Sequence, residues 1–204
     1  MSSKLRLLFV GLLFLVSNVG YSQVSEADGN ELEYDDTELD FNQKAKIDSL
    51  ALEKVKDLKA YISIIGSKET PFSEAHRVIE RALGLFGQGS VIGVSSTNSD
   101  EIKTYTIKNY FERLMALNYD RVNITWYDIQ YISDLEMTPD GKYVGVITIF
   151  QRFEGMMADN MVYKDITKKD ITVFVEQKQM QVAGDNIKFW DVLLGDIVVS
   201  ETES

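Results

Sequence analysis

The second half of the chain limits the fold most. From residue 120 onward, β-branched and aromatic residues run in long stretches broken only by turn chemistry. Residues 121–136 and 142–154 flank Thr138-Pro139-Asp140-Gly141, and residues 170–182 and 187–201 flank Gly184-Asp185-Asn186. Residues 155–168 read as an irregular connection. The pattern predicts four long antiparallel strands. Such strands need helices or a second layer to cover at least one face.

The preceding residues supply helices. Ile47, Leu50, Ala51, Val55, Leu58, Ile62 and Ile65 recur at helical spacing, which predicts a helix over 43–65 ending at Gly66. Thr70 as N-cap and Pro71 at the first helical position open a second helix. Its expected buried face is Phe72, Ala75, Ile79, Ala82, Leu83 and Phe86. Short strands over 90–96 and 102–107 follow, with a third helix over 107–117. The resulting fold class is α+β: three N-terminal helices packed on a strongly curved antiparallel sheet.

Simple closure of the first turn sets Trp126 opposite Phe153, Asp128 opposite Gln151 and Ile132 opposite Ile147. Tyr127 then opposes Arg152 on the other face. In the second hairpin Lys178 opposes Asp191, a pairing that reads as a cross-strand ion pair. A bulge of one residue would flip every assignment. Trp126, Asp128, Gln151 and Phe153 thus share one face. An apolar wall with a few polar groups suits a small-molecule pocket. It equally suits a core with an Asp near its wet rim.

Composition narrows the chemistry. The chain has no Cys and one His among 204 residues. Disulfides, thiolate metal sites and Cys nucleophiles are excluded, and a multi-His metal site or Ser–His–Asp triad is disfavoured. No metal and no cofactor is expected. A net charge of −11 argues against nucleic acid as a partner. Lys168-Lys169 and Lys54, Lys56 and Lys59 read as solvated faces. The glycines at 84–93 lack a phosphate-loop pattern and read as helix stops and strand entries.

The ends differ from the body. Lys4 and Arg6 precede an apolar run over 7–16, and Gly20-Tyr21-Ser22 supplies small residues at a cleavage site. Residues 1–22 therefore read as a signal peptide, and the mature protein is expected to be periplasmic or secreted, with no membrane span after cleavage. Residues 23–42 read as an acidic linker; the stretch 24–43 has eight acidic residues and no basic one. Its spacing fits no EF-hand. The folded domain is expected over 43–201, with 202–204 as a tail.

The element order, the run TYTIKNYFERLMALNYDRVNITWYDIQYI and the closing FWDVLLGDIVV resemble the nuclear transport factor 2-like (SnoaL-like) superfamily. The resemblance covers roughly residues 43–201 and implies a cone-like fold of the cystatin or nuclear transport factor 2-like kind. It also implies either catalysis on small apolar molecules inside the cone or non-catalytic binding, with dimers common. Fold does not choose among these.

The leading expectation is a non-catalytic module that binds a small apolar ligand through Trp126, Asp128, Gln151 and Phe153, or binds an envelope protein partner. The alternatives are an isomerase or dehydratase with Asp128 as general base, and a structural homodimer using Tyr127, Tyr131 and Arg152 on the outer sheet face. Asp134, Asp191 and His76 are weaker catalytic candidates. His76 has a simpler account as a surface pair with Glu80.

Overall fold

The computed structural model describes residues 39–96, 99–127 and 133–203. Helix α1 spans Phe41–Gly66. Asp40 caps it: its carboxylate accepts from the Gln43 N–H at 2.7 Å, and the Gln43 side chain accepts from the Asp40 N–H at 2.9 Å. Ile47, Ala51, Val55, Leu58, Ile62 and Ile65 form its buried stripe. Leu39, just before the cap, is also buried, and its N–H donates to the Tyr143 hydroxyl.

Helix α2 spans Phe72–Leu83 and buries Ala75, Val78, Ile79 and Ala82. Pro71, not Thr70, occupies the cap position, without a side-chain bond. Phe72, expected on the buried face, is 68% exposed. It lies in the first turn, and its ring meets the His76 ring edge-on at 4.4 Å. Helix α3, Ile107–Met115, opens on Thr106, whose hydroxyl accepts from the Asn109 N–H.

Seven strands form one sheet: β1 (Val91–Ser96), β2 (Ser99–Thr106), β3 (Arg121–Tyr127), β4 (Glu136–Met137), β5 (Tyr143–Met157), β6 (Asn160–Val182) and β7 (Asp185–Glu203). Their order is β2-β1-β7-β6-β5-β3, with β4 beside β5. The expected α+β architecture of three helices on a sheet is present. The sheet is mixed, however, because β1 runs parallel to β7. Hairpin signals give directions within each hairpin, not how the first hairpin docks on the last strand.

Two turns fall elsewhere than expected. Residues 155–168 are not an irregular connection: β5 turns directly into β6 through Ala158-Asp159, both at positive φ. The β6–β7 turn is Ala183-Gly184, at φ 52° and 99°, rather than Gly184-Asp185-Asn186. That tighter turn moves the register by two, so Lys178 faces Phe189 and Glu176 faces Asp191. Lys178 still reaches Asp191 diagonally at 2.5 Å.

The β3–β5 register also differs by two. Trp126 opposes Gln151, Ile124 opposes Phe153, Thr125 opposes Arg152 and Tyr127 opposes Phe150. From Met137 to Tyr127 the first arm runs ten residues where the second runs seven, from Tyr143 to Phe150. Met137 opposite Tyr143 is already one position off the expected register in the opposite sense, so the three extra residues leave a net shift of two. An even shift preserves faces, so Trp126, Gln151 and Phe153 do share one. Asp128, Ile132 and Tyr131 lie outside the described residues.

Helices cover the inner sheet face. Ile147, Ile149, Ile171, Val173, Val175, Val192, Leu194 and Ile197 pack there against α1, α2 and α3. Bulges along β7 break its register with β6 between Lys168 and Lys169 and between Ile171 and Val173, and so bend the sheet. Along β6 the inner face changes character. Ile171, Val173 and Val175 are apolar; Asp165, Thr167 and Lys169 are polar and equally buried. That change marks where the core gives way to a cavity.

Candidate functional site

The polar half of the inner face borders a cavity of about 510 Å³ under α3 and the β1–β2 hairpin. The volume lies within the roughly 300–1,000 Å³ usual for small-molecule pockets. Five aromatic side chains wall it: Tyr105, Tyr110, Tyr119, Phe153 and Tyr163. Gln151, Asp165, Thr167 and Lys169 supply its interior polar groups, and the exposed Glu101, Lys103 and Arg113 stand at its rim.

Local structure fixes several walls. Helix α3 places Tyr110 and Leu114 one turn apart on its buried face. The Tyr119 ring lies over Gly155, where a Cβ would come within 2.6 Å of its Cε1. Phe153 holds the Tyr119 and Tyr163 rings edge-on at 6.0 and 5.7 Å. The Arg113 guanidinium sits 4.6 Å from the centre of the Tyr105 ring.

Lys169 is 3% exposed, and its ammonium lies 5.9 Å from the centre of the Tyr110 ring. Burial pushes the amine down to about 8, against the opposing pull of the Asp165 charge. Asp165 accepts from the Tyr163 hydroxyl at 2.8 Å through Oδ2, while Oδ1 has no hydrogen-bond partner among the described residues. Burial raises its carboxyl above the usual range, and the Tyr163 bond, the Lys169 charge and Thr167 work the other way. Burial and then the Asp165 charge push the Tyr110 phenol up, so Tyr110 stays neutral at physiological pH. The site therefore sets one buried amine and one buried carboxyl inside an aromatic wall.

Neither a protein-family model nor a curated protein matches the chain. Among solved structures the chain is similar to a hexachlorocyclohexane dehydrochlorinase (LinA) type 2. The identity is 14% over 78% of this chain and 91% of that one, with a TM-score of 0.38.

Of the residues singled out in sequence, Gln151 and Phe153 line the cavity. Trp126 stands behind it, its Nε1–H donating to Gln151 Oε1 at 3.2 Å. Asp128 lies outside the described residues. His76 packs on Phe72 in α2, away from the cavity lining. Asp134 is exposed, and Asp191 is paired with Lys178. Tyr127 lies on the outer face, its ring stacked on Phe150 and covered by the Arg152 guanidinium at 5.5 Å.

Asp165 and Thr167 escape the sequence reading because it takes 155–168 as a connection, and Lys169 escapes it because it takes Lys168-Lys169 as a solvated face. Neighbouring strand residues point to opposite faces, so Lys168 is outside, paired with Glu201 at 3.2 Å, and Lys169 is inside. The available signal was the alternation Asp165, Thr167, Lys169, Ile171, Val173.

Proposed function

We propose that this chain is an exported, non-catalytic binding module of nuclear transport factor 2-like type. It holds a small, largely apolar molecule in the cavity under α3. The supporting observation is the aromatic-walled cavity of about 510 Å³ with a buried Lys and Asp at its floor. A core built only for stability fills such a place with aliphatic side chains, because buried charge is costly. Export rests on the signal-like pattern of residues 1–22.

Native mass spectrometry of the chain purified from its own envelope tests this reading. A small-molecule mass that disappears on denaturation is expected. The mass of a second chain would instead favour the envelope-partner or homodimer alternative. A bare chain that also takes up no apolar molecule from a panel would contradict the reading.

One observation favours the enzymatic alternative: a carboxyl does line the cavity, and it belongs to Asp165. An isomerase or dehydratase would use it as general base. Conversion of the retained molecule by the wild type and loss of that conversion in Asp165→Asn would establish that alternative.

A further inference from the structure

The floor of the cavity has a direction that the aromatic wall lacks. Gln151 opposes Thr167 across the β5–β6 ladder, and Lys169 follows Thr167 on the same face. Gln151 and Lys169 are thus diagonal neighbours, a separation that long side chains bridge. Trp126 Nε1–H can only donate, so the Gln151 atom it meets is the carbonyl oxygen. This leaves the Gln151 amide N–H groups as donors beside Lys169. Lys169 has no ion pair within 4.0 Å among the described residues, although it is almost wholly buried.

The charge distribution agrees. The whole chain carries −11, yet Lys103, Arg113 and Lys169 outnumber Glu101 and Asp165 around the cavity. Asp165 lies four residues before Lys169 on one strand, about 13 Å along it. Tyr163 engages one of its oxygens. Its charge still pulls on Lys169, but no Asp165 oxygen lies within 4.0 Å of the ammonium.

We propose that the ligand is an aromatic or apolar carboxylic acid whose carboxylate lies against Lys169 Nζ and the Gln151 amide, with its apolar body among the tyrosines. The proposal rests on the cavity being a binding site. It adds the chemical class of the ligand and the end by which it is held. Charge-assisted bonds of this kind are the strong ones in a buried site.

Isothermal titration of the full chain with 2-naphthoate and with its neutral counterpart 2-naphthalenemethanol tests it. The acid is expected to bind about tenfold or more tightly than the alcohol. In Lys169→Met, which keeps a long side chain without charge, that preference disappears. Equal binding of both probes by the wild type overturns the inference but leaves the cavity as a site. A preference that survives in Lys169→Met does the same. Binding of neither probe overturns both. Should Lys169→Met fail to fold by circular dichroism, the wild-type comparison alone decides, and Gln151→Leu, expected to weaken the acid preference, supplies the second variant.

Discussion

Lys169 carries a cost that the fold tolerates. In the unfolded chain its amine keeps a proton up to about 10.5, and in the folded chain only up to about 8. Between those values the unfolded state binds more protons, so stability rises with pH. The cost is present in full below about 8 and is relieved as pH approaches 10.5. Lys169→Met is therefore expected to gain on the order of 2 kcal/mol at pH 7. The gain should shrink between pH 8 and 10.5, as urea unfolding at pH 7 and pH 10 would show. A variant no more stable at pH 7 would mean that the amine is solvated. At Gly155 the constraint is steric. Gly155→Ala puts a methyl group into the Tyr119 ring. A loss of about 1–3 kcal/mol is expected, with a changed near-ultraviolet circular dichroism signal from the displaced tyrosine.

The turns and caps set what each element can do. Ala158 and Ala183 hold φ of 47° and 52°, which a side chain with a Cβ adopts at a cost of about 1–2 kcal/mol. Ala183→Gly and Ala158→Gly should each raise stability by about 1 kcal/mol in urea unfolding without moving the register. No gain in either would argue against these two-residue turns. Asp40→Ala, which removes the capping box of α1, should cost about 0.5–2 kcal/mol in the same assay. These turns also explain what was legible. The helices could be read because Ile47 to Ile65 and Ile107 to Leu114 keep a helical period. The Ala158-Asp159 turn could not, because alanine is a poor marker of positive φ. Missing it cost the first ten residues of β6, and with them Asp165, Thr167 and Lys169. Gln151 and Phe153 remained legible, since a register error of two leaves faces unchanged.

Taken whole, the molecule divides its inner sheet face between two tasks. Under α1 the face is aliphatic and closed, with Ile147, Ile149, Ile171, Val173 and Leu194 almost fully buried. Under α3 the same strands present Gln151, Thr167 and Lys169 to an aromatic cavity. No helix among the described residues is long and apolar enough to cross a membrane. Aliphatic burial is thus concentrated at one end of the sheet, and the other end keeps a charged floor beneath a cavity.

That division is tested most directly by lysine-selective 13C NMR of the full chain, titrated from pH 6 to 11, with Lys169→Met to assign the signal. One lysine resonance, absent from the variant, should titrate near 8, and 2-naphthoate should shift it. If the resonance lost in Lys169→Met instead titrates near 10.5 and ignores the acid, Lys169 is not buried at a ligand site, and this account of the cavity fails.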